Sequence, residues 1–472
     1  MTDTARPALS AALPPALPPA LPNDPAAQPR QTLGIRHGLA LCVGIVIGAG
    51  IFRAPAMVAG ASSSEAMFLG TWALGGVLSI LGALCYAELA SAHPSAGGDF
   101  HFLELAFGRD LAFLYGWARL AVIQTGSLAL LAYVFGDYLA ALLPVGSQAS
   151  SIYAALLVVG LTGLNWLGIR QGAGTQFWMT CAEVLGLVCV IVAGLIVAPH
   201  AAPAPRVERD GALGLVLVFV LLTYGGWSEV VYISAELKNA RRRIAPVMIA
   251  GLGLVTLLYL LVNWAYLRAL GLEGVAGSQT VAADVMARAF GPAGGAAISL
   301  MIAIAALTSA NATVITGART SYALGRAFPR LRWLGRWSAA RDTPGNAMLL
   351  QGAIAVLLVI GATFGRDAFG AVVEYTAPVF WFFLLLVGVA VFVLRHRAPL
   401  PPGAFRVPLY PVVPALFCAT SAWLLYSSIA YTGVSALVGV AVLAVGALVL
   451  LAVRGPVRGP VRGPASSSEP RA

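Results

Sequence analysis

Two glycine-interrupted apolar stretches hold the residues best suited to chemistry in this chain. They are Gly44-Ile45-Val46-Ile47-Gly48-Ala49-Gly50-Ile51-Phe52 and Leu222-Thr223-Tyr224-Gly225-Gly226-Trp227. That chemistry is recognition by the backbone itself. A helix that breaks leaves N–H and C=O groups without partners, and in lipid such groups survive only inside protein or beside a water-filled cavity. The G-x-x-x-G spacing at 44–48 also suits close helix packing, and Trp227 reads equally well as a packing residue. What favours a binding site is the recurrence: the second break falls at the corresponding place in a second set of five apolar spans, the pattern of inverted repeats around a central site.

Ionisable side chains inside apolar stretches form a second group, because their cost in a bilayer makes each a functional hypothesis. Glu183 is the sharpest. A carboxylate there can bind and release a proton, face a cation, or act as a hydrogen-bonded structural acid. Arg53, Arg119 and Glu229 require partners or water. Arg53 follows the first break, where it steers carboxylates by its field, snorkels, or pairs with Glu65 or Glu374. Glu88 and Glu236 lie near the cytoplasmic ends of their stretches. Pairing with basic residues of nearby loops would hold an inner gate shut there, and surface anchoring is an equal reading.

The residue sets of catalysis do not assemble. His37, His93, His101, His200 and His396 sit at the ends of apolar stretches and never form H-E-x-x-H, so no metal site is expected. Cys42, Cys85, Cys181, Cys189 and Cys418 lie inside apolar stretches without C-x-x-C spacing, which argues against a disulfide or zinc framework and for packing. No G-x-x-x-x-G-K-[ST] loop is present, so ATP-driven work by this chain alone is not expected. No cofactor is expected, and energy would come from gradients of ions or solutes.

The elements that position these residues are transmembrane helices. Hydrophobic residues make up 59% and charged residues 10%, with a mean hydropathy of +0.85; a soluble domain carries roughly a quarter charged residues. The net charge of +10 does not point to nucleic acid, because the basic residues lie between apolar spans rather than along a groove. Windows of roughly 20 residues, matched to a hydrocarbon core of about 30 Å, place twelve spans. They fall near 34–58, 66–92, 106–140, 152–169, 174–198, 211–237, 245–269, 291–325, 346–364, 369–394, 408–430 and 433–453. Segment 279–290 reads as a short amphipathic external helix before the eighth span.

Most of the 29 Lys and Arg fall in alternate connections, densest at Arg326, Arg330, Arg332, Arg336 and Arg341. Because cytoplasmic loops retain the excess of basic residues, both termini are expected inside. Residues 1–30, rich in Ala and Pro, and 454–472, with repeated Val-Arg-Gly-Pro, are expected to be disordered cytoplasmic tails. The leader lacks the order of a cleaved signal, so the first span is expected to be retained. The organisation read here is a first five-helix repeat at 34–198, a second at 211–394 and two additional helices at 408–453.

Four stretches together resemble the amino acid, polyamine and organocation transporter superfamily, close to bacterial amino acid permeases and the light chains of L-type transporters. They are Ile47-Gly48-Ala49-Gly50-Ile51-Phe52; Cys85-Tyr86-Ala87-Glu88-Leu89 through Pro94-Ser95-Ala96-Gly97-Gly98-Asp99-Phe100; Tyr224-Gly225-Gly226-Trp227 leading to Glu236-Leu237-Lys238-Asn239; and Ser309-Ala310-Asn311 with Thr316-Gly317-Ala318-Arg319. The resemblance covers most of 34–395 and implies an all-α membrane fold with a ten-helix, 5+5 inverted-repeat core, unwound in spans 1 and 6. A substrate carboxylate would meet the N–H groups of Ala49, Gly50 and Ile51 at a half-helix N-terminus. Its ammonium would face carbonyls of Val46, Leu222 and Gly225, with Gly226 allowing close approach.

Departures from the family pattern matter. Ala49 stands where serine is usual, which keeps backbone capture and removes a side-chain hydrogen bond. Leu222 replaces a common aromatic gate, so Tyr224 and Trp227 become the aromatic candidates. Ala240, in place of a usual proline, affects only how the helix ends. Glu183 falls where many relatives carry a lysine whose ammonium stands in for a coupling sodium ion, and the reversed charge suits a proton or a cation instead. Thr308 and Ser309 stand where sodium-coupled proteins of this fold place hydroxyl ligands against carbonyls here belonging to Gly44 and Ile47. Hydroxyls in a span also bond back to their own helix.

Three classes compete. A secondary transporter of amino acids, working by alternating access on a proton or sodium gradient or as an exchanger, explains the breaks and the absent catalytic sets. Within that class, a polyamine or cationic amino acid transporter would use acids such as Glu229 or Glu374. A polytopic enzyme would need His, Asp or Glu gathered at one membrane face, and a sensor with the same fold would differ only in lacking flux. The loop near 141–151 has no cysteine, so no disulfide-linked glycoprotein partner is expected.

Overall fold

The computed structural model describes residues 34–453 apart from 96, 169–172, 199–212, 236, 339–340, 342, 365–366 and 433. The tails expected at 1–30 and 454–472, and the gate candidate Glu236, lie outside the described residues.

A chain solvated by lipid satisfies its backbone within helices, and helices dominate the described residues, with one isolated bridge between Ser338 and Thr343. In order they are α1 (Ile35–Val46), α2 (Ala54–Ala61), α3 (Glu65–Ala92), α4 (Gly98–Phe107), α5 (Arg109–Ala118), α6 (Gln124–Leu142), α7 (Ala149–Trp166) and α8 (Ala173–Ile196). Then come α9 (Leu213–Tyr224), α10 (Ala240–Ala276), α11 (Val281–Ala327), α12 (Gly345–Thr363), α13 (Ala368–Arg397), α14 (Val412–Thr432) and α15 (Val434–Val453). Among the described residues nine helices are long and apolar enough to cross a membrane, and Thr180–Ile196 and Val438–Val453 are shorter apolar helices. With the broken first span these make up the twelve crossings expected.

Local chemistry explains the boundaries. The Ser64 side chain accepts from the Met67 N–H at 3.1 Å and Glu65 faces the positive end of α3, two features that start a helix. α11 turns at Gly291, whose φ of 72° favours glycine, and Pro292 starts the new run; the piece before the turn is the short helix expected over 279–290. α5 and α6 are one span joined by a π-helical turn, Arg119–Ile123.

The first and sixth spans are the broken ones. α1 stops at Val46, Gly48 is extended, and a 3₁₀ turn over Ala49–Phe52 leads into α2, with Pro55 in its first turn. α9 passes at Gly225 into a 3₁₀ segment, Gly225–Ala235. α1 lies against that segment while α2 lies against α9, so the two broken spans run antiparallel and cross at their breaks. Behind them Trp72, Tyr224 and Tyr259 form a buried aromatic wedge, with ring centroids 4.9 to 6.2 Å apart, tying α3, α9 and α10 together.

Candidate functional site

At the first break the extended Gly48 separates two helical pieces, and its N–H turns back to the Val46 carbonyl at 2.8 Å. The first N–H groups of a helix have no acceptor within it. In a 3₁₀ turn this leaves those of Ala49 and Gly50, while Ile51 can bond back to Gly48 in the i to i+3 pattern. The Val46 carbonyl also accepts from the Tyr259 hydroxyl at 3.1 Å, and that hydroxyl lies 3.4 Å from the Thr223 carbonyl. Tyr259, absent from the sequence reading, therefore laces the two breaks together.

Glycine serves different ends at these positions. A Cβ at Gly48 or Gly225 would meet nothing within 4 Å, and one at Gly50 would touch only Thr223, at 3.5 Å. A Cβ at Gly226 would collide with the Ile45 carbonyl group. Gly226 thus lets α1 and the sixth span touch, and Gly48 and Gly225 border open space. Gly48, Gly50, Leu222, Gly225 and Gly226 keep partial exposure, whereas Val46, Ile47, Ala49 and Ile51 are buried.

The two aromatic candidates are packed away from that space. The Tyr224 hydroxyl donates to the Trp72 carbonyl at 3.0 Å within the aromatic wedge. Trp227 stands edge-on to Tyr86 at 5.1 Å and to Phe417 at 6.2 Å. Trp227 also borders a separate small cavity of about 20 Å³ that includes Ser79, Trp381 and Phe417 and none of the site glycines.

Polar clusters flank the breaks. Towards Asp137, Arg53 pairs with Asp137 at 3.2 Å and Asp367 at 3.4 Å and lies over the Phe369 ring at 5.9 Å. Its partners are these aspartates rather than Glu65 or Glu374. Nearby, the Tyr138 hydroxyl donates to the Phe52 carbonyl at 2.9 Å, ending the 3₁₀ turn. Towards Lys238, Glu88 accepts from Arg395 Nη2 at 2.7 Å and Nε at 2.8 Å and from the Val407 N–H at 2.7 Å, which joins α3 to α13 and the following loop. A second cluster there joins Arg119, Glu229, Tyr115, Tyr232 and Asp99. Burial, reinforced by the charge of Glu229, pushes the Asp99 carboxyl up to about 7.

Glu183 is 2% exposed on α8. Its Oε1 accepts from the Ser309 hydroxyl at 3.4 Å, and its Oε2 has no hydrogen-bond partner among the described residues. Thr308 instead bonds back to the Ile304 and Ala305 carbonyls, and Gly44 packs directly on Thr180 of α8. Among the described residues no three His, Cys, Asp or Glu side chains are grouped to hold a metal ion.

Against this geometry, the amino acid permease family matches residues 33–452. The chain belongs to the amino acid permease family. This permease is 30% identical over 412 residues to the human b(0,+)-type amino acid transporter 1, covering 85% of this chain and 83% of the relative. It is 29% identical over 421 residues to the serine/threonine exchanger SteT of Bacillus subtilis, covering 87% and 95%. The human cystine/glutamate transporter is 26% identical over 422 residues, covering 86% and 83%. The permease is a multi-pass membrane protein whose function is amino acid transport.

Proposed function

We propose that this permease is a secondary transporter that binds an amino acid between its two helix breaks and carries it by alternating access between the repeats at 34–198 and 211–394. The carboxylate is held by the N–H groups of Ala49 and Gly50, with Ile51 beside them, where a helix N-terminus favours an anion. The ammonium faces carbonyls around Leu222 and Gly225, and Gly226 keeps α1 close. The observation that carries the reading is the juxtaposition of two antiparallel breaks whose glycines, Gly48 and Gly225, border open space.

Glu183 is the coupling group in this reading. A buried carboxylate held, among the described residues, only by a hydroxyl favours taking a proton or a cation. Ser309 orients it; Thr308, Gly44 and Ile47 belong to the sodium alternative. Arg53 closes the face carrying Asp137 and Asp367, assigned to the outside, and Glu88 anchors the cytoplasmic face with both termini. Glu236 stays a candidate for that inner gate. The chain acts without catalysis, cofactor or disulfide-linked glycoprotein, in the inner membrane of the cell.

Purified protein in liposomes, given labelled amino acids and polyamines under an imposed proton gradient, a sodium gradient or internal substrate, tests the proposal. Acceleration by one gradient identifies the coupling ion. Acceleration by internal substrate alone identifies an exchanger, the activity that the name of SteT carries. Uptake of polyamines alone would favour the amine reading, and no flux from correctly inserted protein would leave a sensor.

A further inference from the structure

The sixth span carries a stripe that starts at the break. In a 3₁₀ helix residues three apart share a face, so Gly226, Glu229 and Tyr232 line up, with Glu229 about 6 Å beyond Gly226 at the 3₁₀ rise of about 2 Å per residue. Arg119 comes to this stripe from the third span. Its Nη1 donates to Glu229 Oε1 at 2.9 Å and its Nη2 to Oε2 at 2.7 Å, a bidentate pair. The Tyr232 hydroxyl lies 3.0 Å from Nη1, and the Tyr232 ring lies under the guanidinium at 4.9 Å.

The π-helical turn Arg119–Ile123 makes this reach possible. In an α-helix, residues five apart point to different faces; one wider turn brings Arg119 and Gln124 nearer to one face. Gln124 accordingly reaches the Thr316 hydroxyl at 3.0 Å while Arg119 reaches Glu229. The Ala121 carbonyl within the turn accepts from the Tyr375 hydroxyl at 2.9 Å. Single π turns recur where a helix serves function rather than packing alone.

Exposure within the pair is unequal. The Arg119 side chain is 3% exposed and that of Glu229 is 37% exposed. The carboxylate is therefore the member that a molecule beside Gly225 can approach, and the guanidinium behind it cancels its charge. Arg53 is likewise paired with acids on the other side of the break.

We propose that the Arg119–Glu229 pair is the charge filter of the substrate site, so that the permease selects amino acids whose side chains carry no net charge. This rests on the reading that the substrate lies between the two breaks. Glu229 does not act as the counter-ion for a basic substrate, because both of its oxygens are engaged by Arg119. Removing Arg119 exposes an unpaired carboxylate to a lysine-sized side chain; removing Glu229 leaves a guanidinium suited to an acidic one.

The test compares uptake of leucine, lysine and glutamate by liposomes containing wild type, Arg119→Gln, Glu229→Gln or the double variant. Arg119→Gln should raise the lysine-to-leucine ratio at least tenfold, Glu229→Gln should raise the glutamate-to-leucine ratio, and the double variant should return both ratios towards wild type. Where a single variant does not fold, the swapped pair Arg119→Glu with Glu229→Arg, which restores neutrality, should keep wild-type ratios. Unmoved ratios in folded single variants, or altered ratios in the swapped pair, would overturn the filter, as would rates that change in step for all three substrates, the behaviour of a mechanical latch. A wild type that carries no amino acid would overturn the substrate reading and the filter with it.

Discussion

Adding one methyl group at each of three neighbouring glycines should separate packing from recognition. At Gly226 a Cβ would lie 2.8 Å from the Ile45 carbonyl carbon and nearer still to its oxygen. Both are backbone atoms of α1, so the helices must part by about one ångström. Overpacking of this kind costs about 1–3 kcal/mol. At Gly48, with φ of −92°, and at Gly225, nothing lies within 4 Å, so alanine fits without strain. Gly48→Ala and Gly225→Ala should then match or slightly exceed wild type in stability, because alanine restricts the unfolded chain by about 0.4–1 kcal/mol. Their methyl groups would occupy the space assigned to the substrate and displace charge-assisted hydrogen bonds worth about 1.5–3 kcal/mol, a weakening of roughly 10- to 150-fold. Thermal stability of the purified variants in detergent and equilibrium binding of the transported amino acid read the two effects separately. Wild-type affinity in both Gly48→Ala and Gly225→Ala would refute the placement of the site, and a fully stable Gly226→Ala would refute the close approach of α1.

Three further predictions concern charged groups. Arg53→Gln leaves Asp137, itself 9% exposed, without its closest cation. It should loosen the outer closure, read as faster modification of an Ala49→Cys variant by an impermeant thiol reagent, and an unchanged rate would mean that Arg53 anchors without gating. Glu183→Gln should abolish dependence of uptake on the proton gradient while keeping substrate binding; an unaltered pH profile would return Glu183 to a structural role. The Asp99 carboxyl is raised from 3.8 to about 7, so the folded protein holds a proton that the unfolded chain has lost. Its contribution to stability is fully present below about pH 4 and lost as pH rises through about 7. Asp99→Asn should flatten the decline of melting temperature over that interval, and an identical profile in the variant would assign the decline to other groups.

The two breaks were legible because glycine clusters inside apolar spans are a local signal, and Glu183 stood out because a carboxylate in a span is rare. The partners of the charges were not legible. Arg53 and Asp367 are 314 residues apart, and Arg119 and Glu229 are 110 apart; nothing in either local pattern selects one acid among several. Tyr224 and Trp227 show the complementary limit. Their types and proximity to the break made them aromatic candidates, but a helix whose neighbours are all apolar has no periodicity to say which side faces the cavity, and packing turned both rings into the bundle.

The sequence by itself determined the solvent, the twelve crossings, the pairing of two broken spans and the family. Those properties follow from composition and from chemistry within a few residues, since lipid forces every backbone group into local hydrogen bonds except at a break. Tertiary structure alone decided which glycine admits a neighbouring helix and which opens onto space, that Tyr259 laces the breaks together, and that a π-helical turn carries Arg119 to Glu229. These depend on distances between segments far apart in the chain, and in a bundle of uniformly apolar helices only close packing sets those distances.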